Sequence, residues 1–358
     1  MSLSPELAAL RDEALRVTCQ SWAIQKRWKL AKDGAWLVGP CPECGGTDRF
    51  SISIQRDFFK CRKCDVQGSG VIDLVMKTEK LEFVPACELI TGRKAADPVD
   101  EKRMAELRAK AEADARKREQ DAAIFRERAR EAGYRIWHSA KAVPIGGIVS
   151  AYLAEARGLR GGRIDFSAPG WAAGMHIRYI AAHPYWDEKG KHRLHVGPAM
   201  IAGIQYPDDS FAGAHQTWID LDRPKAKLVL PPDEKGRQRS AKKVRGSWKG
   251  GAIRLVTPPN VRRIVMGEGI ETTLTAYAHA WEPDTAYWAG VVKGNMADFF
   301  VPPDWCRELI YLTDEAEAIG DMEKGLRRAE AARPGLVGML VEPVGDGRDL
   351  NELVMHRG

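Results

Sequence analysis

Two short cysteine motifs constrain this chain more than any other feature. Cys41-Pro-Glu-Cys44 and Cys61-Arg-Lys-Cys64 are separated by sixteen residues, a spacing that lets two tight turns bring four thiolates to one tetrahedral ion at about 2.3 Å. Gly45-Gly46 frees the backbone to leave the first turn. Between the pairs, RFSISIQRDFFKC alternates as a hairpin does. The pattern predicts a zinc ribbon in which Cys41, Cys44, Cys61 and Cys64 hold structural Zn²⁺. The hairpin also carries Arg49, Arg56, Lys60, Arg62 and Lys63 beside Phe50, Phe58 and Phe59. Basic residues interleaved with aromatics suit contact with a single-stranded nucleic acid, with Arg49, Arg62 and Lys63 as candidates; the phenylalanines serve equally well as the ribbon's small core.

The seven cysteines sit in a chain that opens on a charged amphipathic helix rather than a basic-then-apolar leader, which argues for metal over disulfides and for a cytoplasmic location. No apolar run approaches the roughly 18 to 20 residues of a membrane helix, so no membrane partner is expected. With 358 residues, 44% hydrophobic and 29% charged, collagen-like and wholly disordered readings are excluded, and two or three domains fit.

Composition shifts suggest the boundaries. Residues 1–92 form the ribbon unit, expected to bind template. Residues 93–135 read as a charged helical linker: from Asp100 to Ala132 there is no Gly or Pro, and both charge signs interleave at helical spacing. Such a helix is about 50 Å long and serves as a spacer, a nucleic-acid contact or a coiled-coil partner. Residues 136–258 hold short strand-like runs (PAMIAGIQY, KLVLPP, GAIRLVTPP). Residues 259–358 alternate strand patterns with helices or intervening segments: RRIVMGEG then a helix ETTLTAYAHAW, TAYWAGVV then a segment near MADFF, RELIYLTD then a helix DMEKGLRRAEAA, and finally GLVGMLVEPV. That alternation predicts βαβ units and a parallel sheet covered on both faces. The fold class expected is α/β, with an N-terminal zinc ribbon, a long helical linker and a parallel-sheet core.

Ligands of open parallel sheets bind beyond the carboxyl ends of the strands. Glu268, Asp314 and Asp349 fall there on this reading, and carboxylates converging from separate strand ends make a site for a hard cation such as Mg²⁺. Just upstream, residues 223–254 carry eleven Lys and Arg against two acids. A net +9 over 32 residues suits a groove for nucleic-acid backbone or a triphosphate, with salt-sensitive binding. Lys225, Lys227, Lys242, Lys243, Arg245 and Arg254 are the candidates there, with Arg178 and Lys293 as further phosphate contacts. The histidines show no metal-ligand spacing, and Trp171, Trp218, Trp248 and Trp288 read as core.

GEGIETTL, from Gly267 to Leu274, followed by the strand-terminal Asp314, resembles a Toprim domain, the module shared by bacterial-type primases, topoisomerases and some nucleases. The stretch CPECGGTDRFSI…FKCRKC resembles the zinc-ribbon start of phage- and plasmid-type DNA primases. The run Gly250-Gly251-Ala252-Ile253-Arg254-Leu255, then EGIET and the closing Gly347, Asp349 and Asn351, resembles their Toprim half. The resemblance implies a catalytic role for Glu268, Asp314 and Asp349, with Mg²⁺ or Mn²⁺ held by these acids. It departs from the family at Ala316, where a second Asp of a DxD motif is expected; Glu317, or Glu315, is available to supply that carboxylate.

The function expected is synthesis of short RNA primers from NTPs on a single-stranded DNA template by metal-dependent nucleotidyl transfer. The absence of a GxxxxGK[ST] phosphate loop implies a separate replicative helicase as partner. A mobile-element origin follows from the resemblance alone. A non-catalytic single-stranded-DNA-binding accessory, favoured by Ala316, and a Toprim nuclease remain as alternatives.

Overall fold

The computed structural model describes residues 4–95, 101–160, 162–313 and 318–341. The chain divides into two compact units, residues 1–120 and 121–358, with the division falling inside a long helix.

In the first unit, α1 (Pro5–Ala14) begins where the Ser4 hydroxyl accepts the Leu7 N–H at 3.3 Å, and α2 (Cys19–Gln25) where Thr18 accepts that of Ser21 at 3.0 Å. These side chains satisfy amide groups that a first helical turn leaves without partners. A five-stranded antiparallel sheet follows in sequential order: β1 (Ala31–Asp33), β2 (Trp36–Cys41), β3 (Gly45–Ser53), β4 (Phe58–Cys61) and β5 (Gln67–Ser69). The hairpin read from the sequence is β3–β4, with Phe50 opposite Cys61 and Ile52 opposite Phe59. Two helices, α3 (Val71–Glu79) and α4 (Phe83–Thr91), complete the unit. Trp22, Phe50, Ile52, Phe59, Leu74 and Val75 are all buried in one core. Phe50 and Phe59 are therefore core residues rather than stacking platforms for bases, because a unit this small has few other large side chains to bury.

Helix α5 (Glu101–Ser139) is longer than the expected 100–132 and spans about 58 Å at 1.5 Å per residue. Every side chain from Glu112 to Asp121 is exposed. The helix continues through Gly133 because there its backbone meets the sheet of the second unit: a Cβ at that position would sit 2.3 Å from the Arg245 carbonyl oxygen.

The second unit opens with α6 (Ile148–Ala151), which runs into a π-helical turn, Tyr152–Ala156. Nine strands then form one mixed sheet: β6 (Ile177–Trp186), β7 (Arg193–Gln205), β8 (Phe211–Trp218), β9 (Lys242–Gly246), β10 (Ala252–Val256), β11 (Arg263–Gly267), β12 (Thr285–Ala289), β13 (Glu308–Leu312) and β14 (Val337–Val341). Their order is β14-β13-β11-β12-β10-β7-β8-β9, with β6 also paired to β7. The four strands β14, β13, β11 and β12 are mutually parallel, as the alternation predicts. The sheet then continues through antiparallel strands from residues 177–256, so the parallel part is four strands of nine. KLVLPP forms no strand; it joins Ile219 through a single bridge at Lys227, and Leu228 and Leu230 anchor it in the core.

Crossover helices cover the parallel strands on both faces. On one side α7 (Ile270–His279) packs Ala276 against Val265 and Tyr287. On the other, α8 (Lys293–Asp298) and α9 (Ile319–Ala332) bring Met296, Met322 and Leu326 against Ile264, Met266, Leu309 and Tyr311. Two-sided burial is why these strands read as continuous apolar runs. No described helix is long and apolar enough to cross a membrane.

Candidate functional site

The four cysteines reach one point from two places. Cys41 ends β2, Cys44 precedes β3, Cys61 ends β4, and Cys64 lies in the turn that follows. Their sulfurs all lie within 4.8 Å of one another, with Cys41–Cys64 at 3.7 Å and Cys44–Cys61 at 3.5 Å. Four thiolates at about 2.3 Å from a tetrahedral ion stand about 3.8 Å apart, so the cluster has the dimensions of a closed Cys₄ zinc site. Burial pushes the Cys41 and Cys44 thiols up, whereas at Cys61 burial is outweighed by the Cys64 and Lys63 N–H groups, which bring the thiol down to about 6, so without an ion the cluster favours a single thiolate. Among the described residues this is the one cluster able to hold a metal ion. Around it, Arg62 binds Asp48 through the carbonyl at 2.5 Å and the carboxylate at 2.8 Å, Lys63 is exposed, and Arg49 is half-buried.

In the second unit, Glu268 is half-buried immediately past β11. Gly267 pairs with Ala289 of β12, and Ala289 with Ile253 of β10, so the carboxyl ends of two parallel strands and the start of β10 share an edge. The turn around Glu268 is pinned from inside: the Thr273 hydroxyl donates to the Gly269 carbonyl at 2.8 Å and accepts the Gly267 N–H at 3.3 Å. Beside it, Asn295 is fully buried and ties three segments together. Its amide donates to the Gly251 and Gly290 carbonyls at 2.7 and 2.9 Å, and its oxygen accepts the Gly250 N–H at 2.7 Å. Asp314, Glu317 and Asp349, and Ala316 with them, lie outside the described residues.

One residue of the EGIET motif besides Glu268 proves central. Glu271, in the first turn of α7, is 3% exposed and binds the Lys242 ammonium at 3.0 Å and that of Lys227 at 3.1 Å; it also accepts the Tyr152 hydroxyl. Burial opposes its charge, yet the two lysines and the tyrosine hold its carboxyl well below the usual carboxylate range. Burial lowers Lys227 to about 8 against the pull of Glu271. Nearby, burial and the charge of Lys242 lower the enclosed His215 to about 3. At neutral pH Glu271 is thus a carboxylate, with Tyr152, pushed up by burial, and His215 both neutral.

The other basic candidates are dispersed. The Arg178 guanidinium lies 4.2 Å over Trp137 and donates to its carbonyl at 3.0 Å. Arg254 lies 4.6 Å over Trp288, donates to the Tyr206 carbonyl at 2.7 Å and pairs with Asp209. Lys243 lies 3.9 Å over Tyr185 and donates to the Trp186 carbonyl. Lys225 and Arg245 are exposed, and Lys293 begins α8, half-buried.

Comparison with known families decides the first unit. Residues 14–106 match the CHC2 zinc finger family. The ribbon and its structural zinc site, expected from spacing and seen in the geometry, belong to that segment. Residues 127–255 match a domain family of unknown function, DUF7146; neither match extends to Glu268. The comparison with curated proteins gave no match. Solved structures similar to the chain include the zinc-binding and RNA polymerase domains of the Aquifex aeolicus primase, 15% identical over 99% of this chain and 83% of that one, with a TM-score of 0.37. The primase fragment of the bacteriophage T7 primase-helicase protein is 14% identical over 89% of this chain and 94% of its own, with a TM-score of 0.33. A DNA primase domain from Pseudomonas aeruginosa is 11% identical over 64% and 75%, with a TM-score of 0.38.

Proposed function

We propose that the chain is a DNA primase that makes short RNA primers from NTPs on single-stranded DNA. The observation that carries this reading is the CHC2 zinc finger match over residues 14–106, on a segment whose four cysteines have the dimensions of a zinc site. It is supported by a carboxylate, Glu268, at the carboxyl edge of a parallel sheet with the Lys242 ammonium group beside the same turn. On this reading residues 1–92 engage the template and 93–135 form the linker; residues 136–258 supply the basic half of the core and 259–358 the acidic half.

In-line attack of a ribose 3′-hydroxyl on an α-phosphate builds negative charge on the phosphate oxygens. Glu268, Asp314, Glu317 and Asp349 are the residues that would hold a divalent Mg²⁺ or Mn²⁺, which would supply neutralisation of such charge. Lys227 and Lys242 face the triphosphate, while Arg49, Arg62, Lys63, Arg178, Lys225, Lys243, Arg245, Arg254 and Lys293 are assigned to nucleic-acid and phosphate contacts. A separate helicase would deliver the single strand. Glu268→Gln should abolish primer synthesis and leave single-stranded DNA binding intact; a mutant as active as the parent removes Glu268 from the mechanism.

A second reading, a single-stranded-DNA-binding accessory without catalysis, is favoured by Ala316 where the related pattern has an acid. It predicts salt-sensitive binding and no metal-dependent product.

A further inference from the structure

The Glu271 cluster is built unlike a structural ion pair. Four segments far apart in sequence converge on it: the π-helical turn through Tyr152, the segment after β8 through Lys227, the start of β9 through Lys242, and α7 through Glu271. One carboxylate faces two ammonium groups, so the cluster carries a surplus positive charge in a largely enclosed place. Burying charges is unfavourable, and packed apolar side chains of similar volume would often stabilise the fold as well or better. Both lysines also keep an open side, with side chains 23% and 31% exposed while that of Glu271 is 4% exposed. Each ammonium group has three N–H donors and spends one on Glu271.

The cluster also adjoins the turn that carries Glu268. A methyl group added at Gly269 would lie 3.2 Å from the Glu271 carboxylate and 3.9 Å from the Lys242 ammonium nitrogen. Lys242 therefore lies beside the turn that carries Glu268, and Lys227 is held on the other oxygen of the same Glu271 carboxylate. π-Helical turns of the kind that supplies Tyr152 occur frequently at functional sites.

We infer that Glu271 is a positioning residue: oriented by the Tyr152 hydroxyl, it holds Lys227 and Lys242 side by side next to the Glu268 turn as a clamp for the polyphosphate of an incoming nucleotide. The inference rests on the nucleotidyl-transfer reading for the identity of that ligand. The clamp itself is tested without catalysis.

The probe is inorganic tripolyphosphate, titrated calorimetrically into the full chain, with circular dichroism to confirm that each variant is folded. Coulomb attraction alone says that removing a negative charge beside an anion site tightens binding. Positioning says the reverse, so Glu271→Gln should weaken tripolyphosphate binding about fivefold, as loss of an aligned charge-assisted hydrogen bond does. Lys227→Met and Lys242→Met should each weaken it by about tenfold. Unchanged or tighter binding by folded Glu271→Gln, or indifference to both lysine substitutions, overturns the proposal. If Glu271→Gln does not fold, Tyr152→Phe decides: it keeps the charge and removes only the orienting hydroxyl, and unchanged binding overturns the proposal. In primer synthesis Glu271→Gln should raise KM for the nucleotide more than it lowers kcat. A parent protein that makes no primer but binds tripolyphosphate in the predicted order retains the clamp and loses the primase reading; the opposite pattern separates them the other way.

Discussion

Replacing Asn295 with alanine tests the architecture that holds the sheet edge in place. Its fully buried amide makes three hydrogen bonds, to Gly250, Gly251 and Gly290. Each is worth about 1 kcal/mol net, and more where a buried partner is left unsatisfied. Truncation removes all three bonds and takes the Asn295 partner from the Gly250 N–H and the Gly251 carbonyl, while the Gly290 carbonyl still accepts the Val292 N–H at 2.9 Å, so the expected loss is about 3 kcal/mol. For a unit the size of residues 121–358 that corresponds to a fall in Tm of roughly 6 to 12 °C. Trp248 and Trp288 lie near the junction and report on it, since Trp248 packs against Phe299 and Trp288 against Phe300. Denaturant unfolding followed by their fluorescence gives the free energy. Asn295→Asp should be at least as damaging, because it removes both donors and buries a charge. A loss under about 1 kcal/mol for Asn295→Ala would show that the two glycine segments hold together without the clamp, refuting the reasoning.

Three further outcomes follow from the same structure. His215 is lowered to about 3 by burial and Lys242, so the unfolded chain binds a proton that the folded chain refuses between about pH 6.5 and 3; stability should fall as pH drops through that window, and His215→Asn should flatten the slope in acid-denaturation curves. Stripping zinc with a strong chelator should unfold the ribbon, measured as loss of amide exchange protection in β3 and β4, since a structural zinc site contributes on the order of 10 kcal/mol of folding free energy; Cys61→Ser should do the same without chelator. Gly133→Ala should destabilise by about 1 to 3 kcal/mol despite alanine's higher helix propensity, because its methyl meets the Arg245 carbonyl at 2.3 Å; a more stable variant in thermal melts would contradict the close approach.

What the sequence disclosed depended on how local the determining contacts are. The zinc ligands come as two Cys-x-x-Cys pairs flanking the β3–β4 hairpin, so spacing alone identifies them. The elements from β11 to α9 were legible because two-sided burial writes unbroken apolar strands and amphipathic helices directly into the chain. The antiparallel part was legible only in pieces: PAMIAGIQY and GAIRLVTPP read as strand-like and fall in β7 and β10, but the buried stretch of β7 from Ala199 to Ile204 shows no alternation, and nothing local shows that Ala252 of β10 pairs with Gln205 of β7. The Glu271 cluster was invisible for the same reason. Its partners lie 29 residues away at Lys242 and 119 away at Tyr152, and nothing in either neighbourhood points to the other. Lys227 and Lys242 were picked out as members of a basic run, yet composition could not show that they turn toward a buried carboxylate. Asn295 likewise acts across 44 and 45 residues. The expected acids Asp314, Glu317 and Asp349 lie outside the described residues.

The most direct test of the central claim is incorporation of labelled ribonucleotides by the full chain on single-stranded DNA with Mg²⁺ or Mn²⁺, the products resolved on a denaturing gel. A primase yields short, template-dependent, ribonuclease-sensitive products that disappear with Glu268→Gln. A folded, zinc-loaded protein that binds the template and forms no such product under either metal, with or without a helicase present, contradicts the account.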